Sequence, residues 1–165
     1  MEGEGKKRSF DNLNLKDNLL RGIFSYGFEV PSYIQSVAIP KLISGKDLIA
    51  QAQSGTGKTG AFSIGALQKL DPELNGTQIL IISPTRELAM QTSNVMEQLS
   101  SYMDGITTLE VIGGTDINQC RDNLNKLPKV VIGTPGRILD MIEKRNLFTD
   151  QIQTLIFDEA DEILS

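Results

Sequence analysis

Short apolar runs alternate with helical stripes along most of the chain. The runs are rich in β-branched residues and end at turn residues, which is typical of buried strands, and the apolar residues between them recur at helical spacing. Because strands that alternate with helices form right-handed βαβ units, the pattern predicts an α/β fold with a mainly parallel sheet and helices on both faces. The predicted strands are residues 47–52, 78–83, 108–112, 130–133 and 154–157, and the predicted helices are residues 15–25, 31–42, 58–70, 86–103, 116–126 and 137–145.

Composition excludes several classes of protein. The chain has 165 residues, of which 39% are hydrophobic and 22% charged, as expected of one globular domain with a flexible N-terminus at residues 1–9 and the domain at residues 10–165. One cysteine, Cys120, and no histidine disfavour disulfides and zinc, so we expect any metal to be Mg²⁺ bound by oxygen. No apolar run approaches the roughly 20 residues that cross a bilayer, and we expect no membrane partner. A net charge of −5 disfavours a strongly basic nucleic-acid module but leaves binding through backbone N–H groups and a few arginines open.

A glycine-rich segment, residues 52–59, follows the first predicted strand and leads into a predicted helix. Glycines let consecutive backbone N–H groups point at phosphate oxygens, and the helix adds the positive end of its dipole. Lys58 is expected to contact the β- and γ-phosphates, and the Thr59 hydroxyl to bind Mg²⁺. A plain turn between strand and helix is the alternative, which the Gly-Lys-Thr sequence disfavours. The predicted phosphate-binding residues are Ser54, Gly55, Thr56, Gly57, Lys58 and Thr59.

Two carboxylates, Asp158 and Glu159, follow the last predicted strand. Asp158 is expected to hold Mg²⁺, directly or through water, and Glu159 to orient and deprotonate an attacking water. Considered alone, the pair is explained equally well as an acidic helix N-terminus. Together with the phosphate-binding segment, it predicts hydrolysis of a nucleoside triphosphate. The catalytic residues are then Lys58, Asp158 and Glu159, with Thr59 and Asp158 holding the metal.

Asp158-Glu159-Ala160-Asp161 is the signature of the DEAD-box RNA helicases, and other segments resemble that family in the same order. Residues 27–35 resemble its Q motif, and Phe10 matches the isolated aromatic upstream of it. Residues 52–59 match the family's own phosphate loop, which begins with alanine. The resemblance covers residues 10–165. The segments that resemble its RNA-contacting blocks are Pro84, Thr85 and Arg86, then Gly113 and Gly114, then Thr134, Pro135, Gly136 and Arg137.

The resemblance implies the amino-terminal RecA-like domain of an RNA helicase that uses ATP and Mg²⁺. In such a domain the Gln35 amide donates to adenine N7 and accepts from the N6 amino group, which guanine cannot match, and Phe28 stacks on the base. The alternatives are a solvated helix residue for Gln35 and a core aromatic for Phe28. The RNA-contacting blocks are expected to bind phosphate and ribose, which carry no base sequence. The alternatives are a plain turn for Gly113 and Gly114 and first helical positions for the two prolines, and the spacing of the resemblance disfavours them.

The finer resemblance is to the translation initiation factor 4A subfamily. It implies a cytoplasmic protein that docks on a scaffold of helical repeats, although nuclear or nucleolar relatives in exon-junction marking and ribosomal RNA processing are equally similar. In that family a second RecA-like domain closes over ATP and RNA, and none follows Asp161 here. We therefore expect weak nucleotide binding, slow hydrolysis and no unwinding by this chain alone. A non-catalytic nucleotide- or RNA-binding module is the alternative, and another type of P-loop ATPase is disfavoured by the Gln35 block.

Overall fold

The computed structural model describes residues 8–45, 48–52 and 57–158, and the ranges 1–7, 46–47, 53–56 and 159–165 lie outside it. A 3₁₀ turn over Phe10–Leu13 comes first, capped by the Ser9 hydroxyl, which accepts from the backbone N–H of Asp11. The elements that follow are α1 (Asp17–Tyr26), α2 (Tyr33–Ser44), β1 (Leu48–Ala52), α3 (Lys58–Lys69), β2 (Ile79–Ile82), α4 (Arg86–Leu99), β3 (Thr108–Val111), α5 (Ile117–Leu124), β4 (Val130–Gly133), α6 (Pro135–Glu143) and β5 (Thr154–Asp158).

The strands form one parallel sheet with the order β1-β5-β2-β4-β3. This confirms the predicted α/β fold. The last strand in the chain, β5, is inserted between the first two, and its register places Asp158 opposite Ala52 of β1. Because all strands are parallel, the segments that follow them meet at one edge of the sheet, with those after β1 and β5 at one side and those after β4 and β3 at the other.

Side chains of the central strands alternate between two cores. Ile79 and Ile81 of β2 pack with α1, α3 and α4, while Leu80 packs on the opposite face with α5 and α6. Strand β4 follows the same rule, because Val130 and Ile132 face the first core and Val131 the second. Both faces of the sheet are therefore covered by helices, as predicted. No helix in the described part of the chain is long and apolar enough to span a bilayer.

Helix α4 ends at Leu99, four residues before the end that the spacing predicts. Met103 is buried although it lies outside the helix, so the apolar spacing continues into a turn. The Ser100 and Ser101 hydroxyls donate to the carbonyl oxygens of Met96 and Gln98, at 2.8 Å each. Serine side chains that take backbone acceptors in this way favour helix ends.

Lys16 fastens the start of α1 to the far end of α3. Its backbone N–H donates to Gln68 Oε1 at 2.8 Å, and its ammonium group donates to the Leu70 carbonyl at 2.7 Å. Burial lowers the pKa of Lys16, and the nearby charge of Asp71 partly opposes this. The other end of α1 leads into Phe28, whose backbone N–H donates to the Ile23 carbonyl at 3.2 Å.

Helices α1 and α4 cross with almost no space between their backbones. A Cβ atom added at Gly22 would lie 1.9 Å from the carbonyl oxygen of Leu99. Because that neighbour is backbone, the two helices would have to separate. Only glycine allows this approach.

We expect Gly22→Ala to lower the free energy of unfolding by about 2 kcal/mol or more, since overpacking forces the helices apart. A glycine-to-alanine change inside an unhindered helix has the opposite sign. Urea unfolding measures the effect. Gly45→Ala is the control, because Gly45 has a φ of −75° and only ordinary contacts, and it should change stability by less than about 0.5 kcal/mol. A stable Gly22→Ala variant would contradict the close crossing.

Candidate functional site

Asp158 accepts three side-chain hydrogen bonds from other described residues at the carboxyl edge of the sheet. It ends β5 and is 2% exposed. Its Oδ1 accepts from the Thr59 hydroxyl at 3.2 Å, and its Oδ2 accepts from the hydroxyls of Ser83, at 3.1 Å, and Thr92, at 2.6 Å. The carboxylate therefore joins three elements, since Thr59 lies on α3, Ser83 directly follows β2, and Thr92 lies on α4.

Sequence reasoning anticipated the proximity of Thr59 and Asp158 but missed Ser83 and Thr92. The signal for Thr92 was present, because it lies three residues after Ala89 and four before Met96 on the buried stripe of α4. A hydroxyl on such a stripe needs a partner. The identity of that partner depends on the strand order, which places β5 beside β2.

The start of α3 has the form expected of a phosphate-binding segment. Gly57 caps the helix with φ of +76°, a left-handed conformation that favours glycine, and Lys58 and Thr59 form the first turn. The predicted residues Ser54, Gly55, Thr56 and Glu159 lie outside the described residues.

Gln35 lies beside this turn and is buried, with 3% of its surface exposed. The interpretation of Gln35 as a solvated helix residue is therefore wrong. It forms a capping box at the start of α2: its backbone N–H donates to the Ser32 hydroxyl at 3.1 Å, and its Oε1 accepts from the Ser32 backbone N–H at 3.0 Å. The amide nitrogen faces Gly60, where an added Cβ would lie 3.2 Å from Nε2. Sequence reasoning missed this capping role, although Ser-x-x-Gln is its usual pattern.

Phe28 lies on the same side of α3 as Gln35. A Cβ at Gly60 would lie 3.4 Å from its ring, so Phe28 and Gln35 flank one glycine. The ring is half-buried, packed against Tyr26 at a centroid distance of 4.8 Å and against the fully buried Phe10 at 6.4 Å. Phe28 is therefore a partly buried aromatic residue that packs against the core. We call Phe28, Gln35, Gly57, Lys58, Thr59 and Asp158 the phosphate-side cluster.

A second group of predicted residues meets after β2, β4 and β3. Arg137 of α6 donates from Nη1 to the Thr115 hydroxyl at 3.1 Å and from Nη2 to the Thr115 carbonyl at 3.0 Å. The backbone N–H of Gly113 donates to the Thr134 hydroxyl at 3.4 Å. Thr115 was not among the predicted residues. Its position directly after Gly113 and Gly114 could have indicated that it belongs to the same group.

Arg86 completes this group from the start of α4. Gly114 has a φ of +83°, and a Cβ there would lie 3.3 Å from Arg86 Nη1. Arg86 is exposed, as are Gly113, Gly114 and Thr115. We call Arg86, Gly113, Gly114, Thr115, Thr134 and Arg137 the loop-side cluster.

The remaining predicted residues of these segments have structural roles at helix starts. The Thr85 hydroxyl caps α4 by accepting from the backbone N–H of Leu88 at 3.2 Å, so Pro84 precedes the cap and is not the first helical residue. Pro135 does occupy the first turn of α6, where its missing N–H leaves no helical hydrogen bond unmade. Gly136 is exposed, and a Cβ there would meet open space.

The described residues thus form two clusters at one edge of the sheet, and comparison with known proteins gives them a family. The model of the DEAD/DEAH box helicase family matches residues 32–165. The chain belongs to the DEAD/DEAH box helicase family. Its fold is the one predicted from the resemblance, because a DEAD box protein from Methanococcus jannaschii, 38% identical, superposes with a TM-score of 0.82 over 94% of this chain and 42% of that one.

Curated relatives of this DEAD-box chain are considerably more similar in sequence. An ATP-dependent RNA helicase eIF4A of Aspergillus niger is 56% identical over 160 residues, and an ATP-dependent RNA helicase FAL1 of Saccharomyces cerevisiae is 54% identical over 161 residues. Each match covers 95% of this chain and 39% of the relative, so the chain spans well under half of their length. A structure of Saccharomyces cerevisiae Dbp5 bound to RNA and ADP BeF3 is 36% identical, with a TM-score of 0.81 over 96% of this chain and 40% of that one.

Proposed function

We propose that this chain is the part of an ATP-dependent RNA helicase that binds ATP with Mg²⁺ and contacts the RNA backbone. The observation that carries the proposal is the division of one sheet edge into the phosphate-side and loop-side clusters, which helix α4 connects, because its Thr92 donates to Asp158 and its first residue is Arg86. The relatives named as ATP-dependent RNA helicases and the Dbp5 structure with RNA and ADP BeF3 support it.

Thr59 and Asp158 are the residues suited to Mg²⁺. Their side-chain oxygens are 3.2 Å apart, close to the roughly 3 Å between neighbouring ligands around an octahedral Mg²⁺. Within the described ranges no three His, Cys, Asp or Glu side chains gather into a metal site. A Mg²⁺ held by few protein oxygens, with phosphate and water as the other ligands, fits this arrangement. When bound, the ion would neutralise phosphate charge, while Asp158 and Thr59 orient it.

Gln35 and Phe28 are placed to recognise adenine. The Gln35 amide nitrogen is a donor on the Gly60 side, and its Oε1 retains a second lone pair beyond the one used by Ser32. Adenine can satisfy both groups, because it presents an acceptor at N7 and a donor at N6 on one edge.

The loop-side cluster suits an RNA backbone. Its two arginines, its exposed glycine backbone and the helix starts at Arg86 and Pro135 all offer donors to phosphate oxygens. Such contacts carry no base sequence, so we expect binding that depends on salt and tolerates any sequence.

The curated relatives are more than twice as long as this chain, so the activity of a whole protein of this kind is part of the proposal. We propose RNA-stimulated ATP hydrolysis and local unwinding once a second RecA-like domain closes over the edge, and little hydrolysis by this chain alone. Translation initiation in the cytoplasm, on a helical-repeat scaffold, is the proposed role. A nuclear or nucleolar role in exon-junction marking or ribosomal RNA processing is the alternative.

Adenine recognition is tested by a matched pair of variants in the capping box. Gln35→Ala and Ser32→Ala each break the box and should lower unfolding free energy by about 1 kcal/mol. Only Gln35→Ala should reduce the preference for ADP over GDP, by about tenfold, measured by calorimetry with Mg²⁺. Lys58→Ala should weaken the binding of both ADP and GDP. Equal affinity of the unsubstituted chain for GDP and ADP would contradict adenine recognition and favour another class of P-loop protein.

RNA binding is tested by its salt dependence. Arg86→Ala and Arg137→Ala should weaken binding of a single-stranded ten-nucleotide RNA, and each should reduce the slope of log K against log salt by about 0.7 for every phosphate that the variant no longer neutralises. Arg145→Ala removes the same charge beyond the far end of α6, at the opposite edge, and should leave the slope unchanged. Equal slopes in all three variants would overturn the assignment of the loop-side cluster.

A further inference from the structure

The two oxygens of Asp158 have different environments. Among the described residues, Oδ2 accepts from the hydroxyls of Thr92, at 2.6 Å, and Ser83, at 3.1 Å, whereas Oδ1 accepts from the Thr59 hydroxyl at the longer distance of 3.2 Å. Thr92 is 5% exposed and Ser83 fully buried, so neither hydroxyl is a surface group that contacts Asp158 by chance. Their bonds to a charged acceptor are of the stronger kind.

Two other buried hydroxyls show that burial in this core does not by itself provide a hydrogen-bond partner. The Ser93 hydroxyl, on the residue after Thr92, and the Ser63 hydroxyl of α3 are both buried and have no hydrogen-bond partner within the described residues. Helix packing alone therefore leaves some hydroxyls unbonded. Ser83 and Thr92, from two different elements, converge on one oxygen.

We propose that Ser83 and Thr92 are positioning residues for Asp158, and that by holding Oδ2 they turn Oδ1 toward Thr59 and the magnesium-bound nucleotide. This inference rests on the proposed function. In this role the two hydroxyls contact Asp158 itself and fix the rotation of its carboxylate before the ligand arrives. Removal of one donor leaves Asp158 in place but weakens the hold on Oδ2, so that Oδ1 is directed less firmly toward Thr59. Groups that orient a metal-binding carboxylate in this way usually contribute about 10- to 100-fold to metal affinity.

The test compares ADP affinity with and without Mg²⁺ in the 165-residue chain. Calorimetry in EDTA and in saturating Mg²⁺ gives the factor by which Mg²⁺ strengthens ADP binding. Thr92→Val, which keeps the shape of threonine and removes the donor, should reduce that factor about tenfold and leave ADP affinity in EDTA unchanged within twofold. Thr92→Ser should restore the factor, because it retains the hydroxyl.

Two further variants separate positioning from general damage to the core. Ser83→Ala removes the second donor and should reduce the same factor, and it carries the test if Thr92→Val fails to fold. Ser93→Ala removes a buried hydroxyl that has no described partner and should change neither affinity. An undiminished Mg²⁺ factor in Ser83→Ala and in a folded Thr92→Val overturns the inference, as does equal weakening of ADP binding in EDTA and in Mg²⁺. If the unsubstituted chain binds no ADP in EDTA or in Mg²⁺, the proposed function is overturned, and the inference with it.

Discussion

The carboxylate of Asp158 is buried at the end of β5, and hydroxyls from α3, from the segment after β2 and from α4 hold it there. Removing an ionised group from water costs several kcal/mol. A buried carboxylate therefore needs hydrogen-bond donors, and the three hydroxyls supply them. The arrangement exists only because β5 is inserted between β1 and β2, which brings Thr59 and Ser83 to opposite sides of the same side chain.

The Asp158 carboxylate is also connected to the loop-side cluster through helix α4. Ser83 is followed directly by Pro84 and the cap of α4, and Thr92 lies on α4 one turn beyond Leu88. The helix that presents Arg86 to the loop-side cluster therefore also donates to the residue proposed to orient Mg²⁺. Displacement of α4 would change the environment of Asp158, which gives the two clusters a direct physical connection through packed, hydrogen-bonded groups.

Much of this arrangement could be predicted from sequence, because its local signals are strong. Apolar runs located the strands, and each run was followed by a segment suited to a ligand, so a shared edge followed from parallel pairing alone. The strand order could not be read in this way, since it depends on which strands pair across long stretches of chain. For that reason the convergence of Ser83 and Thr92 on Asp158, and the tie between Arg137 and Thr115, emerged only from the structure. Gln35 was predicted for its ligand chemistry, whereas its capping role is local and was overlooked.

One sheet edge is expected to carry two distinct binding regions, which α4 connects because Thr92 donates to Asp158 and Arg86 belongs to the loop-side cluster. Backbone amide shifts of the ¹⁵N-labelled chain, recorded during separate titrations with Mg²⁺–ADP and with a single-stranded RNA, test it most directly. We expect ADP to shift the amides of Gln35, Gly57 and Thr59, and RNA to shift those of Arg86, Gly114 and Thr115. The same set of amides responding to both ligands, or RNA acting at the phosphate-side cluster alone, would contradict it.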